Sequence, residues 1–353
     1  MTVFDERRKA LLAEVPCDAY MVVDLARLMP KEIDHSSLFY LTGYQGEGVL
    51  FTSGRETVLL ADERYFEAAK SQVGHDLTVR PATGDYLVDI KDTVERLDLA
   101  EVSFTSNRIT YSLYDRLKRL LAANLTPRED PIATLRITKD QEEIRCIDAA
   151  VDVSETCLRQ LVEEIAIGMT EKEIASRLTA LMLEHGVDRA FDTIVAAGEN
   201  CFNQHHQPAD RHIKPGDFLL IDFGARTGEY VADITRTFAV GEVTPKMQAI
   251  HDAARRATEI GVEALRPGTP IKDVWHAIKD HFDRTEFAPH SAISGHCIGL
   301  DLHERPFILE GDDFELVPGM VTTMEPGIYI QGFGGVRVED VVLFTEDGPR
   351  SLS

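Results

Sequence analysis

The sequence predicts an α/β (α+β) protein in two parts: a small α/β unit over residues 1–132 and a larger α+β unit over residues 133–353. Three observations carry this reading. Strand-like and helix-like stretches alternate up to Pro131, the pattern of βαβ connections. Beyond it the chain changes to long helical segments opened by the capping-box patterns Thr138-x-x-Gln141 and Thr170-x-x-Glu173. Two glycine-turned hairpins, Leu219–Phe238 and Val321–Phe344, then each follow a pair of helices. A length of 353 residues favours two domains over one.

Taken in order, residues 4–15 read as a helix and Cys17–Asp24 as a buried strand. Ser36–Phe51 mixes aromatics with turn glycines before running into a strand. Glu56–Leu60 is a further strand, followed by the helical pattern ADERYFEAAKSQV. The domain boundary is expected near residues 131–138. A long helix is predicted from Lys139 to about Ile165, and the next ends near Gly186. Two more, over 246–265 and 270–283, separate the hairpins. The second part therefore reads helix, helix, hairpin, helix, helix, hairpin, a weak repeat of pattern rather than of residue identity.

Composition narrows the class. The chain is 44% hydrophobic and 27% charged, with a formal net charge of −23, so neither nucleic acid nor an anionic membrane is expected as a partner. No run of about 18 apolar residues could span a bilayer, and no apolar leader stretch is visible near the start. The five cysteines are odd in number and lack CxxC spacing, which points to a reduced, cytoplasmic protein.

The chemistry is concentrated in the hairpins. A two-residue turn at Thr227-Gly228 would set Asp222 directly opposite Asp233. Like charges opposed in a ladder are destabilising, and in apolar surroundings they need a cation. The second hairpin repeats the arrangement: a turn centred on Gly332 opposes Glu325 to Glu339. Four carboxylates make an oxygen-rich site for a hard or borderline divalent ion, with Mn²⁺ first and Co²⁺ or Zn²⁺ as alternatives. An imidazole to complete it is available in Ser294–Pro306 (SGHCIGLDLHERP), which holds His296 and His303. A single strand Asp is usually a turn or edge residue, and a lone His usually a surface one. Two opposed acidic pairs with a Gly-flanked His between them are harder to explain without a metal.

These residues resemble those of the pita-bread metallopeptidase family (M24), which contains methionine aminopeptidase, aminopeptidase P and prolidase. The matching segments are FDTIVAAG at Phe191–Gly198, His205, IDFG at Ile221–Gly224, DITRT at Asp233–Thr237, Gly295–Pro306, MEPG at Met324–Gly327 and VRVED at Val336–Asp340. YLTGY at residues 40–44 is similar to the creatinase-like domain that precedes the catalytic domain in prolidase and aminopeptidase P. The resemblance implies a small creatinase-like N-terminal α/β domain followed by a pita-bread catalytic domain. It implies two divalent metal ions per chain, with Asp222 on one, Asp233 and Glu339 bridging both, and His296 and Glu325 completing the other. A bridging hydroxide would attack the substrate. Glu325 would also shuttle protons, His303 would donate to the carbonyl or oxyanion, and His205, with His206 as the alternative, would contact substrate. Arg337 would order the bridging carboxylates or hold substrate.

The N-terminal domain and the VRVED form point to the proline-specific branch. An Xaa-Pro dipeptidase (prolidase) is expected first, acting on an Xaa-Pro dipeptide or short peptide. Aminopeptidase P, acting on longer peptides, is the alternative, and a non-catalytic peptide-binding relative comes third. A homodimer is implied. Two positions depart from the family: Cys297 stands where a Gly usually follows the ligand His, and Ala292 where the proline-specific branch tends to carry a His. The nearest His is His290.

Overall fold

The computed structural model describes residues 2–25, 36–287 and 292–353. The chain forms two compact units, Met1–Leu135 and Arg136–Ser353. The first runs α1 (Val3–Glu14), β1 (Ala19–Asp24), α2 (Ser36–Thr42), β2 (Gly48–Ser53), β3 (Thr57–Asp62), α3 (Phe66–Gln72), β4 (Thr78–Ala82), α4 (Tyr86–Arg96), β5 (Glu101–Thr105), α5 (Tyr111–Leu120) and β6 (Asn124–Arg128), and the last residue of the short α6 (Pro131–Arg136) already belongs to the second. Among the described residues these strands form one six-stranded sheet in the order β4-β3-β2-β1-β5-β6. Its centre is antiparallel and both flanks are parallel. Val49, Phe51, Val102 and Phe104 pack with Ile90 and Val94 of α4 and Leu113 and Leu117 of α5 in one core.

The second unit opens with α7 (Gln141–Glu164) and α8 (Glu171–Glu184). The capping box of α7 is Asp140 with Glu143, not Thr138 with Gln141. The Lys139 amide donates to Gly319 O at 2.9 Å, which keeps the chain outside the helix until Asp140. The Thr170–Glu173 box of α8 forms as predicted.

The strands that follow are β7 (Asp188–Arg189), β8 (Ile194–Ala197), β9 (Phe218–Phe223), β10 (Ala225–Thr227), β11 (Tyr230–Val231) and β12 (Ile234–Ala239). After α9 (Pro245–Ala264) and α10 (Ile271–Phe282) come β13 (Ile293–Cys297), β14 (Glu304–Leu309), β15 (Val321–Met324), β16 (Gly327–Ile330), β17 (Gly334–Arg337), β18 (Asp340–Thr345) and β19 (Gly348–Ser351). The main sheets are β12-β9-β8 and β14-β13-β15-β18-β19. Apolar residues of α9 and α10, including Ile250, Ala254, Val274 and Ile278, share a core with Leu220, Met324, Val336 and Val342 from the strands. The predicted alternation of helix pairs and hairpins is the observed one.

Candidate metal centre

The first hairpin turns one residue later than expected. Thr227 pairs with Tyr230, so the two-residue loop is Gly228-Glu229, with φ of 56° and 73°. Positive φ at both loop positions gives the turn whose twist matches the strands. Moving a two-residue loop by one position shifts every pairing by two. Asp222 therefore lies opposite Thr235, not opposite Asp233. A shift of two keeps side chains on the same face, so Asp233 becomes the diagonal neighbour of Asp222, still close enough to interact. Gly224 makes this possible: a Cβ there would lie 1.7 Å from Ala232 O.

In the second hairpin the register is the expected one. Met324 pairs with Asp340 and Gly327 with Arg337, about a turn at Gly332. Glu325 and Glu339 sit between these two ladders, where each strand leaves one sheet for the next. Their freed amides are used elsewhere: Glu325 N donates to Ser294 O at 2.9 Å and Glu339 N to Thr235 O at 3.1 Å. Backbone bonds from both glutamates thus tie the second hairpin to the His296 strand and to the first hairpin.

His296 on β13 completes the group. Its Nδ1 lies 3.1 Å from Cys297 O. A carbonyl can only accept, so Nδ1 carries the proton and Nε2 keeps a free lone pair. Nε2 faces Asp233 Oδ2 at 3.5 Å and Glu325 Oε1 at 3.3 Å. One ligand atom from each of Asp233, His296 and Glu339 lies within 4.8 Å of the others.

The electrostatics of this cluster call for a cation. Burial, together with Asp222 and Glu325, pushes the Asp233 carboxyl well above the ordinary carboxylate range. Burial, Asp233, Glu325 and Asp222 do the same to Glu339. Among the described residues, Asp222 Oδ1 and Glu339 Oε1 are buried and find no hydrogen-bond donor, a costly state for a carboxylate oxygen. Four carboxylates and one imidazole, with two oxygens left over, fit a hard or borderline divalent cation.

Arg337 is buried, and its charge is already engaged. Its guanidinium donates to Asp222 Oδ2, to Thr235 Oγ1 at 2.9 Å and to the Tyr329 hydroxyl at 2.9 Å. Thr235 Oγ1 in turn donates to Glu339 Oε2 at 2.6 Å. Burial opposes the Arg337 charge, but Tyr329, Asp222 and the glutamates more than offset it, and its pKa is raised. Of the two expected roles for Arg337, this geometry fits the ordering of carboxylates. Thr235 and Tyr329 escape a sequence reading because a strand Thr or Tyr is commonplace.

Asp222, Asp233, His296 and Glu325 line a cavity of about 360 Å³, together with His205, His303, Phe191, Ile194, Leu302 and Phe307. The His303 ring meets the His296 ring at a centroid distance of 4.5 Å and an angle of 63°. His303 is exposed as a residue, yet desolvation of its ring, with His296 and His205, lowers its pKa to about 4. The neighbouring Glu304 carboxylate is held by Arg136 and by Lys139 Nζ at 3.0 Å. His206 does not line this cavity, and its Nε2 lies 2.8 Å from Glu171 Oε2. Cys297 is fully buried in the same core as Val342 and Phe344 and is not among the residues lining the cavity. Ala292 lines the cavity, whereas His290 lies outside the described residues.

Comparison with known proteins identifies the family of both parts of the chain. Residues 145–346 match metallopeptidase family M24, and residues 6–138 match the creatinase/prolidase N-terminal domain. The chain is 33% identical to the Xaa-Pro dipeptidase of Pyrococcus furiosus over 324 residues, 90% of each chain. An Xaa-Pro dipeptidase structure from Bacillus anthracis superposes with a TM-score of 0.93 at 28% identity, covering 99% of this chain and 97% of that one. An X-Pro aminopeptidase from Thermotoga maritima gives a TM-score of 0.90 at 30% identity and 97% coverage of both.

Proposed function

The chain belongs to metallopeptidase family M24, and from that premise we propose that it hydrolyses Xaa-Pro bonds, acting first as an Xaa-Pro dipeptidase. The observation that carries the proposal is the convergence of Asp222, Asp233, His296 and Glu325 on one cavity, with the buried Glu339 in reach of Asp233 and His296 behind them. These five would hold two divalent ions, with Mn²⁺ preferred and Co²⁺ or Zn²⁺ as alternatives. Asp233 and Glu339, the most deeply charge-crowded pair, would serve both ions. When bound, the ions supply Lewis acidity to the scissile carbonyl and make water acidic enough to attack near neutral pH.

The chain's own residues do the rest. The Glu325 side chain is 19% exposed, which leaves it open enough to the cavity to take a proton from the attacking water and pass it to the leaving proline nitrogen. His303, neutral at pH 7 because its pKa is about 4, donates its ring N–H to the developing oxyanion. His205, which lines the same cavity, contacts substrate. Arg337 holds Asp222 in place directly and Glu339 through the Thr235 hydroxyl. Phe191, Ile194, Leu302 and Phe307 give the pocket its apolar walls and keep bulk water from the bond being cleaved.

Aminopeptidase action on longer Xaa-Pro peptides is the second reading. The cavity shares Phe191, Ile194 and His205 with an adjoining cleft of about 580 Å³, room for chain beyond a dipeptide. Among the described residues no helix is long and apolar enough to cross a membrane. The cysteine usage and the family support a cytoplasmic homodimer.

The deciding experiment strips the protein with chelator, reloads it with Mn²⁺, Co²⁺ or Zn²⁺, and assays Xaa-Pro against Xaa-Pro-Yaa. Cleavage of the dipeptide alone establishes the dipeptidase, and cleavage of both establishes the aminopeptidase. Hydrolysis that survives chelation, or no preference for proline, overturns the reading.

A further inference from the structure

The structure assigns a positioning role to the Glu171–His206 pair: it fixes the segment that carries His205 against the cavity. This rests on the reading of His205 as a substrate-contacting residue.

Glu171 is the first residue of α8 and is fully buried. A carboxylate without solvent must be satisfied by donors, and four supply this. Oε1 accepts from Ala197 N at 2.8 Å and Asn200 Nδ2 at 2.9 Å. Oε2 accepts from His206 Nε2 at 2.8 Å and Ala209 N at 2.9 Å. The donors come from both ends of the segment 197–209, so one carboxylate clasps the two ends together. Backbone bonds tighten it further, from Asn203 N to Asn200 O at 3.0 Å and from His206 N to Asn203 O at 3.1 Å.

His205 and His206 are adjacent and diverge. His205 lines the cavity with Asp222, Asp233, His296 and Glu325, while His206 turns to Glu171. A backbone rotation that releases His206 must swing His205 as well. His206 is the one side chain of the four donors that borders His205 in sequence, so it transmits the anchor most directly. Its service is geometric: its Nε2–H is given to Glu171, and it borders the adjoining cleft but does not line the cavity that holds Asp222, Asp233, His296 and Glu325.

The test uses the metal-loaded enzyme and an Ala-Pro substrate, with metal content and thermal unfolding recorded for each variant. His206→Ala is expected to lower kcat about 10- to 100-fold, as misplacement of a catalytic contact does, with KM and metal content near wild type. His206→Gln, which keeps an N–H for Glu171, is expected to recover kcat to within about threefold. In a His205→Ala background the same His206→Ala change should alter kcat less than about twofold, because its effect passes through His205. In the zinc-loaded protein, the ¹⁵N ring resonances of His205 should shift or broaden in His206→Ala and return in His206→Gln. If His206→Ala does not fold, His206→Asn, whose amide is too short to reach Glu171, replaces it. The inference is overturned if the Ala and Gln variants behave alike, if the loss persists undiminished without His205, or if the His205 resonances do not move. Should the wild type cleave no Xaa-Pro bond, the peptidase reading fails while the resonance measurement still decides the positioning role.

Discussion

Thr235 and Glu339 bind each other twice. The Thr235 hydroxyl donates to Glu339 Oε2 at 2.6 Å, and the Glu339 amide donates to Thr235 O at 3.1 Å. This reciprocal pair joins the two hairpins through the protein alone. Thr235 also receives Arg337 Nε at 2.9 Å, so a single hydroxyl orients two groups around the carboxylates.

Thr235→Val should therefore weaken metal binding about 10- to 100-fold, the usual effect of removing a group that orients a ligand. It should cost about 1–3 kcal/mol of stability through the unpaired Glu339 oxygen. Metal titration by calorimetry and urea unfolding check both. Unchanged affinity would show that the hydroxyl does not orient Glu339.

Metal should stabilise the protein more at high pH than at low. The carboxyl pKa values of Asp233 and Glu339 are raised in the fold by burial and by their acidic neighbours. Between the unfolded value near 4 and the raised folded value, the folded metal-free protein holds more protons than the unfolded chain. Its stability from these groups is complete below the unfolded pKa and is lost as pH rises through the folded one. Bound cations remove that penalty, and binding itself requires deprotonated ligands. The rise in Tm on adding Mn²⁺ should thus be larger at pH 8 than at pH 5 in scanning calorimetry. A constant or shrinking gain contradicts the charge-crowding account.

Gly224→Ala should destabilise the fold by about 3 kcal/mol or more, since its Cβ would lie 1.7 Å from Ala232 O and the backbone must part. Gly54→Ala is the control, because among the described residues a Cβ there meets no atom within 4 Å. Equal stability of the two variants would refute the close-approach argument.

Thiol reactivity should separate the cysteines. Burial pushes Cys201 and Cys297 up to about 12, and Cys157 is buried as well. At pH 7.5 iodoacetamide should leave these three unmodified and reach, slowly, only Cys17 and Cys146, which are partly exposed. All five should react in guanidinium. Mass spectrometry locates the labels, and fast native labelling of Cys297 would contradict the packed position found for it.

Much of the site was legible in the sequence because strand periodicity is forgiving. The first hairpin turns at Gly228-Glu229 instead of Thr227-Gly228, yet a slip of two leaves Asp222 and Asp233 on one face. The Glu325–Glu339 register follows from the glycines at the second turn. The helix start at Asp140 was misplaced because it depends on a backbone bond from Lys139 to Gly319, distant in sequence.

The sequence by itself determined the kind of centre: which carboxylates and which imidazole could gather, and on which faces. The reason is local, since turn chemistry and the two-residue period of a strand act over a few residues. Only the tertiary structure decided how each group is used. It placed the His296 proton on Nδ1, committed Arg337 to Asp222, sent His205 to the cavity and His206 to Glu171, and folded the Cys297 thiol into the core. Each of these is set by burial and by partners that, apart from Cys297 O beside His296, lie far along the chain, and no local pattern encodes them.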